Sequence, residues 1–209
     1  MRETILILTL MISVNCLAQN YQFNLLTNYK SENGFYKQKI IYSNKNDNSY
    51  FLYIYKFKDK NIGEIIDLKN SKHHFFKVIE SEGYEKEIHH QFKYENTSDV
   101  FYRDLPNTVF DFKVIAKDSL SKTVKLIKYK NKKKKIITSI AELKIKNIPY
   151  NLFSLFRFSC LHPYENFTNL SFGENGIVES YKLLDTKNPI FIYLDYYSEN
   201  IDFEVKVKQ

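Results

Sequence analysis

Four of the five histidines form two adjacent pairs, which end at His74 and His90. Imidazole nitrogens bind transition metals, and imidazole also transfers protons near neutral pH. If Val78 lies opposite Ile88 in an antiparallel strand pair, His74 and His90 become diagonal neighbours on one apolar face. A slip of one residue would move one ring to the opposite face, so the sequence leaves this geometry open.

A transition-metal site needs a third or fourth ligand in addition to two histidines. No spacing rule selects among the candidates, which are Asp67, Glu80, Glu87 and His162. Imidazoles packed against aromatic rings at the edge of a core explain the histidine pairs more simply. We therefore predict no metal site, and a metal-dependent hydrolase that uses the histidine cluster is kept as an alternative.

Motifs of nucleophilic and phosphate-binding sites do not occur in the chain, which contains no G-x-S-x-G, H-E-x-x-H, G-x-G-x-x-G or P-loop sequence. Cys160 and His162 are close in sequence, but a Cys-His nucleophile also needs a third group that orients the base. The apolar run around Cys160 predicts a buried, inert thiol. We predict no catalytic residue and no cofactor, and enzymatic activity is not favoured.

The densest run of charge, from Lys128 to Lys135, contains the consecutive lysines Lys132, Lys133, Lys134 and Lys135. We expect a solvated hairpin tip whose lysines discourage edge-to-edge association. The alternative is contact with an anionic surface, such as phospholipid headgroups or acidic glycans. The net charge of +7 comes almost entirely from lysine. Because sequence-reading nucleic-acid surfaces favour the forked guanidinium of arginine, we predict no nucleic-acid partner.

The elements that must position these side chains are strands. The 209 residues are 44% hydrophobic and 16% aromatic, which is enough to bury one core of ordinary domain size. Short β-branched and aromatic segments alternate with turn residues, and this pattern predicts an all-β antiparallel meander. The expected strands are 21–26, 36–43, 50–58, 63–68, 73–80, 86–94, 110–115, 122–130, 136–146, 177–184, 190–197 and 201–208. One short helix is expected at about 151–161.

Two of the predicted strands are apolar on both faces, namely Tyr50 to Tyr55 and Ile190 to Leu194. Such strands are central in a sheet or are covered by a second layer. We expect a curved sheet, a half-barrel or a sandwich, in which one helix could cover the concave side. The residues predicted to contact a ligand are Tyr53, Tyr55, Ile192, Tyr193, His74 and His90.

Residues 1–18 have the pattern of a cleaved signal peptide, with Arg2, an apolar stretch and a small residue at Ala18. We expect cleavage after Ala18 or Gln19, which leaves residues 19–209 as a single β-rich domain. Acylation at Cys16 is the alternative, but the residues before this cysteine fit that signal poorly. Once the leader is removed, no later segment reaches membrane-spanning length, and Cys160 is the only remaining cysteine.

The expected function follows from export, from the absence of catalytic motifs and from the doubly apolar strands. In outline the architecture resembles half-barrel envelope proteins that carry lipid and small secreted β-proteins of bacteria, although no motif supports the resemblance. We expect a noncatalytic binding protein of the bacterial envelope, located in the periplasm, at the outer surface or outside the cell. Its partner would be an apolar or anionic ligand or an envelope protein. A structural or surface-interaction module is the second alternative.

Overall fold

The computed structural model describes residues 19–32, 38–82, 88–100, 103–104, 107–161, 165–166, 170–184, 187 and 189–207. The predicted leader, Cys16, Glu87 and His162 lie outside these residues. The strands are Gln19–Phe23 (β1), Leu25–Glu32 (β2), Gln38–Ser43 (β3), Tyr50–Phe57 (β4), Lys60–Asp67 (β5), Lys72–Glu82 (β6), Ile88–Asp99 (β7), Arg103–Asp104 (β8), Val109–Lys117 (β9), Ser121–Tyr129 (β10), Ile137–Lys146 (β11), Glu165–Asn166 (β12), Ile177–Leu183 (β13), Phe191–Ser198 (β14) and Phe203–Val207 (β15). A short helix, Phe153–Phe156 (α1), continues into a π-helical turn at Arg157–Leu161.

Eleven strands form one antiparallel sheet in the order β7-β6-β5-β4-β3-β2-β14-β13-β11-β10-β9. The first half of the chain runs from the centre to one edge, and the second half runs from the other edge back to the centre. There β14 pairs with β2. In the described part of the chain, β7 and β9 are the two edges of this sheet. The all-β antiparallel prediction is therefore confirmed, and the described residues contain the one short helix that was expected.

A two-stranded antiparallel ribbon, formed by β1 and β15, lies on one face of the sheet, which we call the ribbon face. Its side chains Tyr21, Phe23, Val205 and Val207 are buried against Leu52, Ile65 and Phe76 of the sheet. Both ends of the described chain therefore lie in this one element.

The opposite face, which we call the helix face, is covered by α1 and the turn after it. Phe153, Leu155 and Phe156 are buried there, and the ring of Phe156 lies 5.4 Å from Tyr29 on β2. Because the ribbon covers one face of the sheet and the helix the other, a strand between them needs apolar side chains on both faces. On β4, for example, Phe51 belongs to the core of the helix face and the adjacent Leu52 to that of the ribbon face.

The sheet curls around the ribbon. Strands lie about 4.8 Å apart, so Tyr42 on β3 and Phe92 on β7 would be roughly 19 Å apart in a flat sheet. Both rings instead contact Phe203 of the ribbon, at centroid distances of 5.2 and 5.9 Å. The expected curvature is present, and the ribbon occupies the concave side of this half of the sheet.

Two predicted local features differ from the structure. The predicted first strand is divided at Asn24, where the chain passes from the ribbon into the large sheet. This division is necessary because Phe23 enters the core of the ribbon face and Leu25 that of the helix face. The polar segment 95–99, predicted as a turn, instead continues β7 and pairs with β6. Within the described residues, no helix is long and apolar enough to cross a membrane.

Candidate functional site

The six residues predicted to contact a ligand do not form one site. Ile192 is buried in the core of the helix face. Tyr193 stacks on Phe191 with a centroid distance of 5.7 Å. His74 is buried beneath the ribbon, and His90 lies on the edge strand β7. Tyr53 and Tyr55 line a surface cleft together.

The register that would make His74 and His90 diagonal neighbours, which the sequence left open, is not the one present. Val78 lies opposite Phe92 instead of Ile88, and His90 lies opposite Glu80. Because a strand advances about 3.3 Å per residue, the six positions from His74 to Glu80 separate the two histidines by roughly 20 Å. Polar residues at the end of β7 continue the pairing with β6, and this extension sets a register that turn residues alone do not reveal.

His74 belongs instead to a buried chain of hydrogen bonds. The hydroxyl of Tyr21 donates to Asp67 Oδ2 at 2.7 Å, so its oxygen accepts from His74 Nε2 at 2.8 Å. The other ring nitrogen, Nδ1, lies 2.7 Å from the hydroxyl of Thr97. A neutral imidazole satisfies this arrangement, since one of its nitrogens donates and the other accepts.

Electrostatics favour the same protonation states. Burial lowers the pKa of His74, and the nearby Asp67 only partly opposes this effect. Burial acts to raise the pKa of Asp67, but hydrogen bonds from Asn70, Tyr21 and Gln19 outweigh it and hold the pKa below its usual value. This chain of hydrogen bonds therefore holds a charge and a neutral ring in fixed places, and its members Tyr21, Asp67 and His74 are buried.

The two candidate third ligands that the structure describes, Asp67 and Glu80, lie beside different histidines. Asp67 is near His74, with the Tyr21 hydroxyl between them, and Glu80 lies 3.3 Å from His90 Nε2. Across the described part of the chain, no group of three or more histidine, cysteine, aspartate or glutamate side chains could hold a metal ion.

The cleft that contains Tyr53 and Tyr55, which we call the Lys39 cleft, has a volume of about 410 Å³. It opens where β3 and β4 separate, since these strands pair only from Ile41 to Ser43 on β3. Its lining residues are Gln38, Lys39 and Ile40 of β3, Tyr53, Ile54 and Tyr55 of β4, and Glu64 of β5.

Lys39 is the chemically distinctive residue of this cleft. Its ammonium group donates to the carbonyl of Ser159 and lies 5.1 Å from the ring centroid of Tyr53. The hydroxyl of Tyr53 donates to the carbonyl of Phe158 at 3.2 Å. Both side chains therefore satisfy carbonyl groups of the π-helical turn. Burial lowers the pKa of Lys39, while Cys160 and Glu64 act to raise it.

The other charged residue of the cleft, Glu64, is turned towards His73, with 2.9 Å between Oε1 and Nδ1. Neither Lys39 nor Glu64 was predicted from the sequence as a site residue. A signal was nonetheless present, because Lys39 shares the face of β3 that carries the apolar Ile41, where a lysine is unusual. Glu64 occupies the corresponding face of β5, opposite Tyr53.

The predicted inert thiol and the lysine run have clear positions. Cys160 is half-buried in the π-helical turn and interacts electrostatically with Lys39 and Tyr29. The run from Lys132 to Lys135 forms the exposed connection between β10 and β11, as expected for a hairpin tip. Within it, Lys134 is tied to Asp111 by contacts of 2.6 and 2.8 Å. Contact of this tip with an anionic surface remains a prediction.

Comparison with known proteins adds no assignment to this geometry. No protein-family model matches the chain, and no curated protein matches it. The function has to be argued from the clefts and their chemistry.

Proposed function

We propose that the chain is an exported, noncatalytic binding protein of the bacterial envelope, and that its ligand is a small amphipathic acid bound in the Lys39 cleft. The signal-peptide pattern of residues 1–18 supports export. One observation carries the ligand class: a half-buried ammonium group in a cleft whose other walls include exposed apolar side chains.

The apolar part of the ligand would contact Ile40, Ile54 and Tyr55. Ile40 is 38% exposed and Tyr55 39% exposed, so both present apolar surface that a ligand can cover. A volume of about 410 Å³ lies within the range of small-molecule sites in proteins.

The acid group would lie beside Lys39, where an ammonium group in partly desolvated surroundings attracts an anion more strongly than one in water. Glu64 would repel an acid, but its carboxyl is directed towards His73. The surface position of the cleft is also consistent with the burial of Phe51, Leu52 and Ile192 in the two cores.

Calorimetric titration with decanoate and with decanol, its uncharged counterpart, tests the proposal. We expect decanoate to bind at least roughly tenfold more tightly, because a charge-assisted hydrogen bond contributes about 1.5–3 kcal/mol. Lys39→Met should abolish the preference for the acid, whereas Lys39→Arg should largely keep it. Lys132→Met, which removes an exposed lysine of the hairpin tip, should change nothing.

Circular dichroism of the Lys39→Met protein checks that the sheet is intact. Equal affinity of the native protein for decanoate and decanol, absence of binding, or an equal loss in the Lys132→Met protein would each refute the proposal.

A further inference from the structure

A second cleft, which we call the aromatic cleft, lies where the ribbon meets the edge of the large sheet. Its volume is about 370 Å³. The residues that line it are Tyr42 of β3, His89, His90 and Phe92 of β7, and Ile201, Phe203 and Glu204 at the start of β15.

The rings in this cleft form a connected aromatic wall. Phe203 stacks parallel to Phe92 at 5.9 Å and meets Tyr42 edge-on at 5.2 Å. His90 continues the wall, with its ring centroid 6.3 Å from that of Phe92. These rings are only partly buried, so the cleft presents aromatic surface to solvent.

The cleft carries a carboxylate. Glu204 lines it directly, beside His89 and His90, and the lining residues among those described include no lysine or arginine. Glu80 adds a second carboxylate, since it lies 3.3 Å from His90 and contributes to the raised pKa of Tyr42, which burial mainly causes. Lys206 forms an ion pair with Glu204 at 3.3 Å, but it is not part of the lining.

We propose that the aromatic cleft binds a methylated organic ammonium group, such as the trimethylammonium group of choline. Aromatic faces attract cations through their quadrupole, and they favour methylated ammonium because its methyl groups spread the charge and carry little bound water. Ile201 contributes apolar contact for the methyl groups, and the two carboxylates favour a cation over an anion. The site is separate from the Lys39 cleft and does not depend on the function proposed for it.

Titration with choline and with its uncharged isostere, in which a tert-butyl group replaces the trimethylammonium group, tests the charge requirement. We expect saturable choline binding and at least roughly tenfold weaker binding of the isostere. Ethanolamine, which lacks the methyl groups, should also bind more weakly. In NMR spectra the ring signals of His90 should shift with choline.

Two variants test the location of the site. Phe203→Leu removes the central ring and should weaken choline binding roughly tenfold, and Glu204→Gln removes one charge and should weaken it roughly threefold. The matched controls Phe57→Leu and Glu179→Gln change an exposed ring on β4 and a carboxylate on β13, and they should leave choline binding unchanged. Because Phe203→Leu could also loosen the ribbon, the Glu204→Gln result keeps the test independent of stability.

The source of the ammonium group is resolved with vesicles of phosphatidylcholine and of phosphatidylglycerol. Sedimentation with the phosphatidylcholine vesicles alone indicates a lipid headgroup, and choline binding without sedimentation indicates a soluble ligand. Equal binding of choline and its isostere, or no binding by the native protein to any of these probes, would overturn the proposal.

Discussion

At the scale of single residues, His74, a histidine that attracts attention in the sequence, lies in a buried chain of hydrogen bonds. Its ring is 1% exposed, and both nitrogens have partners, Tyr21 on the ribbon and Thr97 on β7. A buried polar group of this kind is costly unless it is fully hydrogen-bonded, and here it joins the ribbon to the sheet.

The protonation of His74 should make the stability of the protein depend on pH. Its pKa is lowered in the folded state, mainly by burial, so below the ordinary value of about 6.5 the unfolded chain binds more protons. The contribution of His74 is therefore fully present above about pH 6.5, and it is lost as the pH falls towards the folded pKa. Each unit of the difference corresponds to about 1.4 kcal/mol.

Urea unfolding at about pH 7.5 and about pH 5 measures this dependence. In the His74→Gln protein, the change in free energy of unfolding between the two pH values should be smaller than in the native protein. His89→Gln, a change at an exposed histidine, should leave the native pH dependence in place. If the change in free energy of unfolding between the two pH values is the same in the His74→Gln protein, groups other than His74 cause it. The lowered pKa of Asp67 acts in the same direction, but in a more acidic range.

The surroundings of individual side chains could be predicted only in part. That the histidines pack against aromatic rings followed from their apolar neighbours, and the structure agrees, since His74 lies 5.5 Å from Tyr21 and His90 lies 6.3 Å from Phe92. The partner of His74 could not be predicted, because Tyr21 is more than fifty positions away in the chain. Lys39 was missed because lysine is so abundant that one inward-facing example does not stand out.

At the scale of elements, the position of α1 depends on one glycine. Gly176 has a φ of +149°, in a region that L side chains rarely adopt. Its N–H donates to the carbonyl of Tyr150, and its carbonyl accepts from Leu152 at the start of α1. A Cβ at Gly176 would lie 2.4 Å from Ile145 Cγ2. The close approach of Gly176, the residue before β13, to Ile145 on β11 therefore requires glycine.

Gly176→Ala should destabilise the protein by about 2–4 kcal/mol, because it combines backbone strain with overpacking against Ile145. Gly173→Ala is the matched control. A Cβ at that position meets nothing within 4 Å, and we expect a change of no more than about 0.5 kcal/mol. Chemical denaturation followed by circular dichroism gives both values. Similar stability of the two variants would show that the backbone at Gly176 can move away from Ile145 at little cost.

Elements were predicted better than the contacts between them. Alternation with a period of two located the strands. The doubly apolar run on β4 correctly indicated a strand covered on both faces, and the run on β14 a central strand. The break at Asn24 was not visible, since Phe23 and Leu25 would share a face in a continuous strand. The register of β6 and β7 was not predictable either, because Asn96 and Thr97 resemble turn residues but pair with Phe75 and His74.

At the scale of the whole molecule, the first and last described strands, β1 and β15, pair with each other. Gln19 lies opposite Val207 in the ribbon, and its side-chain amide also donates to Asp67 at 2.8 Å. The ribbon then closes the concave side of β3 to β7, so its pairing stabilises the core beneath it. This long-range closure joins residues at opposite ends of the sequence, and local patterns therefore carried no information about it.

The contacts of Gln19 also distinguish between the two cleavage sites that the sequence predicts, after Ala18 and after Gln19. If the leader is removed after Ala18, the mature chain keeps the first pair of the ribbon and the hydrogen bond to Asp67. Removal after Gln19 would forfeit both, at a cost of about 0.5–1.5 kcal/mol for the hydrogen bond. We therefore expect the mature protein to begin at Gln19, and the intact mass of protein exported from a bacterial host measures this directly. A mass that includes the leader would contradict export, and a lipid-bearing chain that begins at Cys16 would replace cleavage after Ala18 with acylation.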